Sequence, residues 1–358
     1  MHNNRNIVTA DHRMPAEPGR RVFLRMLGAG AAGVMLPNAL VMASPGSSGK
    51  AMRGIFPIAQ TPFTNSDKLD IDSLVEELRF IDRGQVQGFV WPQVASEWST
   101  LSEAERLAGI DAICSTGKKL RPTVVIGVQA PSTATAVTYA KRAAKAGADA
   151  IISLPPSGNV DPSAINAYYE EIGRATGLPL IVQAVGNLSV DSIAAMSKAI
   201  PTLQCVKDEA GQPLLRIAQF QQKAPRLKIF TGGHGRTMID ELLRGFAGTM
   251  PAASFADVYA AALALWQSGK RQQAVEEFGN AAILINELGA YGMEGMKYIL
   301  VARNVFKTYR TREVKPKGGS ASAAALAAGS AAPRAELDEN GKRNLRTMLE
   351  LMKPYLKA

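Results

Sequence analysis

The run Thr123-Val124-Val125-Ile126-Gly127-Val128 is followed by an alanine-rich amphipathic segment, Ser132–Ala146, then Gly147, then Ala150-Ile151-Ile152-Ser153-Leu154. Two short β-branched runs frame a segment with helical spacing, and Gly147 supplies the residue type that ends helices in a left-handed turn. A strand, a helix and a second strand joined this way form a βαβ unit, whose strands lie parallel.

Working outward, the alternation repeats. Gly54–Gln60 reads as a first strand and Ile71–Arg83 as its helix, opened by an Asp70/Asp72 cap region. Gly88–Trp91 is a second strand, and Ser102–Ser115 is a helix in which Ser102 and Glu105 form a capping box. Pro179–Gln183, Leu203–Lys207, Leu227–Thr231 and Gly248–Met250 supply the remaining strands, with helices between them. Eight alternations predict an α/β fold closed as a (β/α)8 TIM barrel over residues 54–254, a size close to the ~250 residues usual for that architecture. Residues 255–312 form a small C-terminal helical extension, read as Phe255–Ser268, Arg271–Leu288 and Met293–Thr308. Residues 313–336 are a low-complexity loop of Ala, Gly and Ser, and 337–358 hold a last helix running from an Asn340 cap to Lys353.

Residues 1–43 differ in kind. Arg20-Arg21 precede the apolar Val22-Phe23-Leu24, then comes the Gly/Ala-rich run Met26–Leu36, then small residues to Ala43. This is the order of a twin-arginine signal peptide, predicting export by the Tat route to the periplasm or beyond, with 44–53 as linker. A disordered basic tail is the alternative. The run is too short and too glycine-rich for a stable membrane span, which needs roughly 18 apolar positions.

Composition narrows the chemistry. The formal net charge of +10 falls to +7 once the five arginines and two acids of residues 1–43 are set aside, and the remaining charges are scattered. That gives a nucleic-acid partner little support. Of three histidines only His234 lies outside the leader, which argues against His-rich metal sites. Cys114 and Cys205 are expected to be unpaired thiols.

Barrel enzymes place their sites at the C-terminal strand ends. There the sixth strand reads Cys205-Val206-Lys207-Asp208-Glu209. Side chains alternate along a strand, so Cys205 and Lys207 face inward while Val206 and Asp208 face the helices. A lysine inside a barrel is costly unless paired or neutral, and a neutral amine attacks carbonyls. Schiff-base chemistry and a structural bridge to a rim acid are both open on position alone.

The chain resembles the dihydrodipicolinate synthase / N-acetylneuraminate lyase family of class I aldolases. The residues are Thr61-Pro62-Phe63, Ser96-Glu97, Thr100-Leu101-Ser102 with Glu105-Arg106, Val206-Lys207-Asp208-Glu209-Ala210, Thr231-Gly232-Gly233 and Gly245-Phe246-Ala247-Gly248. The resemblance runs from Gly54 to about Phe306 and rests on order and spacing. It implies that Lys207 is the Schiff-base lysine, that no metal or organic cofactor is needed, and that the chain forms a homo-oligomer, dimer or tetramer. It makes the partner a small 2-oxo acid or 2-oxo-3-deoxy sugar acid and the reaction that of a lyase, an aldolase or dehydratase.

The departures matter as much. Where the family reads G-T-T-G-E after strand two, this chain has Gln93-Val94-Ala95-Ser96-Glu97, losing the hydroxyls but keeping the Val94 and Ala95 amides for a carboxylate. The family's P-Y-Y becomes Pro155-Pro156-Ser157, with Ser157 a substrate contact or a turn residue. Strand five ends Gln183-Ala184-Val185-Gly186, where Gln183 could bond a hydroxyl or keto oxygen or cap the barrel's polar end. The Thr–Tyr proton relay is missing.

Glu209 lies roughly 6–7 Å beyond Lys207 on the same strand face. It is a candidate acid or base if burial raises its pKa, or an ion-pair partner of Lys207 or a rim cation. Gly232 and Gly233 would let backbone amides approach the ligand, and His234 is a distal contact or a rim residue. Glu97 reads as a structural acid holding its loop; Trp91, Trp98 and Phe255 as packing; Tyr168 and Tyr169 as facing other helices. Two other functions stay in view. One is an exported keto-acid-binding barrel with little or no catalysis. The other is a glycosidase, needing paired carboxylates about 5–9 Å apart, for which only Glu97 with Glu209 offers itself.

Overall fold

A computed structural model describes residues 49–156, 161–312 and 337–358. Residues 1–43, read from sequence as a signal peptide, the low-complexity stretch 313–336 and Ser157 therefore lie outside the described residues. Eight parallel strands, β1 (Gly54–Ile55), β2 (Gly88–Trp91), β3 (Thr123–Gly127), β4 (Ala150–Ser153), β5 (Leu180–Ala184), β6 (Leu203–Asp208), β7 (Lys228–Thr231) and β8 (Gly248–Thr249), pair in the order β1-β8-β7-β6-β5-β4-β3-β2. The gap between β1 and β2 is spanned by the Ile58–Val90 bridge, with Ala59 N–H donating to the Val90 carbonyl at 2.9 Å. The result is a nearly closed (β/α)8 barrel.

β1 is shorter than expected. Pro57 has no N–H to donate, so beyond Ile55 the chain keeps only single bonds, such as Phe56 N–H to the Thr249 carbonyl at 3.0 Å.

The helices begin and end where their local chemistry directs. Asp70 caps α1 (Ile71–Arg83) by accepting from Ser73 N–H, and Ser102 with Glu105 forms the reciprocal box opening α2 (Glu103–Gly117). Gly147 closes α3 (Thr133–Ala146) at φ 91°, a left-handed conformation glycine adopts without strain. α4 (Pro162–Ala175), α5 (Val190–Ala199), α6 (Pro213–Lys223) and α7 (Met238–Leu243) complete the ring.

Burial separates two layers. Phe56, Ile58, Val90, Ile152, Ile181, Cys205 and Phe230 fill the barrel's interior. Leu180, Val182, Leu203 and Val206 belong to the larger core between sheet and helices. The alternation read at the sixth strand therefore holds, but it depends on an irregularity. Leu180 pairs with Leu203 and the next residue, Ile181, pairs with Cys205, leaving Gln204 exposed and bulged. Without that extra residue Gln183 would face Val206; with it, Gln183 stands opposite Lys207 on the inner face.

After the barrel come α8 (Ala256–Gln267) and α9 (Arg271–Ala302). The two helices expected over 271–308 are one run broken at Gly292, whose φ of 59° and ψ of −133° no helix contains, and it ends at Ala302. α10 (Glu339–Met352) packs Leu345, Leu349 and Met352 inward, and its cap is Asp338, accepting from Gly341 N–H at 2.7 Å, instead of Asn340. Cys114 and Cys205 are buried free thiols. No helix among the described residues is long and apolar enough to cross a membrane.

Candidate active site

Lys207 projects into the mouth of the barrel and is 5% exposed. Its Nζ lies 3.0 Å from Glu209 Oε2. Glu209 follows the end of β6, but its N–H still donates to the Ala184 carbonyl at 2.9 Å, so the strand continues and both side chains share the inner face. Gln183 Nε2 donates to Glu209 Oε2 at 2.6 Å, and Gly233 N–H donates to Oε1 at 3.2 Å. A Cβ on Gly232 would fall 1.7 Å from Glu209 Oε1, so only glycine leaves room for this carboxylate.

These contacts set the charge of the pair. Burial pushes the Glu209 carboxyl up, but the Lys207 charge and the hydrogen bonds from Lys207, Gln183 and Gly233 together hold it below its ordinary 4.5. The expectation that burial raises this group is thus overturned, because burial here comes with three donors. The role foreseen for Gly233 changes as well. Its amide is engaged by Glu209.

On the opposite side, Val94–Ser96 form a single 3-10 turn, whose first two amides have no partner within the turn. Val94 and Ala95 are half-buried. Hydroxyls from two loops clamp the turn. Thr61 Oγ1 donates to the Ser96 carbonyl at 2.5 Å, Trp91 Nε1 donates to Thr61 Oγ1 at 3.0 Å, and Ser96 Oγ donates to the Ala59 carbonyl. Glu97 ends the turn in the left-handed region, at φ 53°. Its fully buried carboxylate receives Lys297 Nζ and, at 2.6 Å, Arg312 N–H. Glu97 is structural, as expected; its partner Lys297, 200 residues away on α9, is not legible from sequence.

Gln183 is 2% exposed and ties β5 to the Lys207–Glu209 pair. His234 adopts a left-handed φ of 60°, and its carbonyl accepts the Tyr259 hydroxyl. Trp91 and Phe255 are buried packing residues, and Trp98 is half-buried. Tyr168 and Tyr169 sit between helices and sheet, but both hydroxyls turn back to β4, bonding Ser153 Oγ at 2.7 Å and the Ser153 carbonyl at 3.0 Å. Ser153 lies one residue from the inward Ile152, so these phenols serve the outer layer. Asp208 likewise faces outward and pairs with Arg216 Nε at 3.1 Å. Its carboxyl is nevertheless raised to about 6 by burial, which Arg216 and Ala210 N–H only partly offset and Glu209 reinforces.

Sequence reasoning passed over Gln60 and Gln129. Gln60 lies two residues beyond the inward Ile58, and Gln129 continues the inner face of β3 past Gly127. Both are buried. Extending the strand alternation past the last apolar position would have found them.

An eight-stranded parallel barrel with its reactive side chains at the strand C-termini is the architecture of (β/α)8 enzymes. A family model described as "Dihydrodipicolinate synthetase family" matches residues 51–313, and the chain belongs to that family of aldolase-type lyases. The chain is 28% identical over 202 residues to the 4-hydroxy-tetrahydrodipicolinate synthase of Rhizobium meliloti (strain 1021), covering 55% of this chain and 68% of that enzyme. Identity is 29% over 164 residues to the enzyme of the same name from Methanosarcina mazei, covering 44% of this chain and 55% of the relative. It is 27% over 216 residues to the Escherichia coli K12 protein named "Probable 2-dehydro-3-deoxy-D-pentonate aldolase YjhH", covering 58% and 71%. The chain thus spans between 55% and 71% of these relatives' length. Dihydrodipicolinate synthase from Rhodopseudomonas palustris shares the fold at a TM-score of 0.70 and 23% identity, covering 83% of this chain and 97% of that one. N-acetylneuraminate lyase from Mycoplasma synoviae does so at 0.70 and 19%, with the same coverage.

Proposed function

We propose that this protein is a Schiff-base-forming lyase, an aldolase or dehydratase, in which Lys207 condenses with the keto group of a small 2-oxo acid and Glu209 moves the protons. The observation that carries the reading is the 3.0 Å approach of Glu209 Oε2 to Lys207 Nζ inside the barrel. Lys207 gives up a proton to solvent, and the freed amine adds to C2 of the 2-oxo acid while the keto oxygen takes up a proton. Loss of the resulting hydroxyl as water leaves an iminium. That cation acts as electron sink for a carbanion at C3, so a bond at C3 or C4 can break with Glu209 accepting or returning the proton. The substrate carboxylate lies against the Val94 and Ala95 amides, with Gln183, Gly232 and His234 bordering the remaining carbons. The reading needs no metal or organic cofactor.

A second reading, a keto-acid-binding barrel with little turnover, draws on the placement of Tyr168 and Tyr169. Their phenols serve the outer layer and cannot stand in for a relay at the mouth. Exchange of the C3 protons of pyruvate in D2O, followed by NMR, separates the two. The lyase exchanges them, and Glu209→Gln slows exchange by at least ~100-fold, the size of a general acid–base contribution; a binder shows none. We further propose export of the chain, on the strength of Arg20-Arg21 and the run behind it, and its assembly as a homo-oligomer; cell fractionation and light scattering test these.

A further inference from the structure

Arg312 fastens the C-terminal extension to the loops that follow β1 and β2. Its guanidinium forks onto Glu105, Nη1 donating to Oε2 at 3.0 Å and Nη2 to Oε1 at 2.8 Å. Nη1 also donates to the Thr100 carbonyl at 3.3 Å. Nε reaches Asp67 Oδ1 at 3.3 Å, and Nη2 donates to the Asp67 carbonyl. The guanidinium carbon lies 4.0 Å from the centre of the Phe63 ring, and only 15% of the side chain is exposed. Forking onto a carboxylate while stacked on an aromatic face is a task that lysine cannot match.

These contacts converge on the turn Val94–Ser96. Arg312 N–H donates to Glu97 Oε1 at 2.6 Å, and Glu97 is the left-handed residue that ends the turn. Asp67 and Phe63 belong to the loop after β1, whose Thr61 hydroxyl clasps the Ser96 carbonyl. The two loops are thus joined at Thr61 and again at Arg312. Charge points the same way. The carboxylates of Asp67, Glu97 and Glu105 surround a turn against whose amides we place the substrate carboxylate. Arg312 pairs with Glu105 and Asp67, Arg310 Nε adds a 2.9 Å bond to Asp67, and Lys297 covers Glu97. The hydrogen bond from Arg312, above all, holds the Glu105 carboxyl down at about 2, so it stays ionised and relies on this guanidinium for its balance.

We propose that Arg312 is a positioning residue for the substrate carboxylate. Through Glu97 it holds the Val94 and Ala95 amides in place, and through Glu105 and Asp67 it cancels negative charge that would repel an anion. The proposal rests on the Schiff-base reading and adds to it a residue of the C-terminal extension that sets affinity for the anionic end of the 2-oxo acid. Arg312 touches no reacting atom. It governs how tightly a carboxylate is held, and leaves the rate at which held substrate reacts to Lys207 and Glu209.

The test compares the full wild-type chain with Arg312→Met and Arg312→Lys. Pyruvate or its neutral methyl ester is trapped on Lys207 with borohydride over a range of concentrations and counted by mass spectrometry. In Arg312→Met the pyruvate half-saturation rises at least ~5-fold, the order that one uncompensated charge exerts on a nearby anion, while that of the ester moves less than ~2-fold. C3-proton exchange at saturating pyruvate stays within ~2-fold of wild type, the pattern of lost ground-state binding. Arg312→Lys keeps the charge without the fork and falls between; it decides on the same curves if the methionine variant does not fold. Unchanged pyruvate half-saturation, equal loss for acid and ester, or a loss confined to saturated exchange overturns the proposal, since a loosened fold would affect both ligands alike. So does a wild type that takes the ester as readily as the acid. Each of those results leaves the Schiff-base reading standing. Failure to trap pyruvate on wild-type Lys207 overturns that reading, and the proposal with it.

Discussion

One oxygen of Glu209 serves two donors at once: Oε2 lies 2.6 Å from Gln183 Nε2 and 3.0 Å from Lys207 Nζ. The sharing makes Gln183 a positioning residue for the acid–base group. Gln183→Met removes a donor to the ionised carboxylate, so the Glu209 pKa rises and its geometry loosens. The acid limb of the pH profile for pyruvate trapping should move to higher pH, and a limb that stays in place argues against the link.

Gly232→Ala is a sharper probe of the same carboxylate, since the added methyl overlaps Glu209 Oε1. The side chain must swing away from Lys207 and from the Gly233 amide. C3-proton exchange should fall by at least ~100-fold, the scale of a lost acid–base group, with a stability cost of about 1–3 kcal/mol for overpacking. Retained exchange would mean that Glu209 is not the proton carrier.

Removing Lys297 leaves the Glu97 carboxylate buried without its ammonium. Urea unfolding of Lys297→Met should show a loss of about 3–5 kcal/mol, much of which the double variant with Glu97→Gln restores. Independent, additive losses would instead show that the two do not interact.

Asp208 gives a pH signature. Its folded pKa of about 6 exceeds the ordinary 3.8, so the folded protein holds this proton more tightly than the unfolded chain. The stabilisation is full below the unfolded value and is lost as pH rises through about 6. Relative to wild type, Asp208→Asn should therefore gain stability between pH 4 and pH 6, by up to about 3 kcal/mol at roughly 1.4 kcal/mol per pKa unit. A pH-independent difference between the two unfolding curves counts against a raised Asp208.

Much of this was legible in the sequence, for identifiable reasons. Strand period and helix caps are local, so Ser102 with Glu105, Asp70 and Gly147 stand where their chemistry directs. The inward direction of Lys207 followed from alternation alone. What could not be read were relationships set by tertiary register. The bulge at Gln204 that aligns Gln183 with Lys207 leaves no mark in composition. Nor does the distant Lys297 that neutralises Glu97. The sign of the Glu209 shift depended on donors from β5 and the loop after β7, which burial by itself does not reveal.

The central claim is that the Lys207 amine reacts with a 2-oxo acid. Its most direct measurement is borohydride reduction of the protein in the presence of pyruvate, with peptide mapping by mass spectrometry. One reduced adduct is expected, on the peptide carrying Lys207 and absent from Lys207→Met. No adduct, or one borne by another lysine while Lys207 stays unmodified, would contradict it.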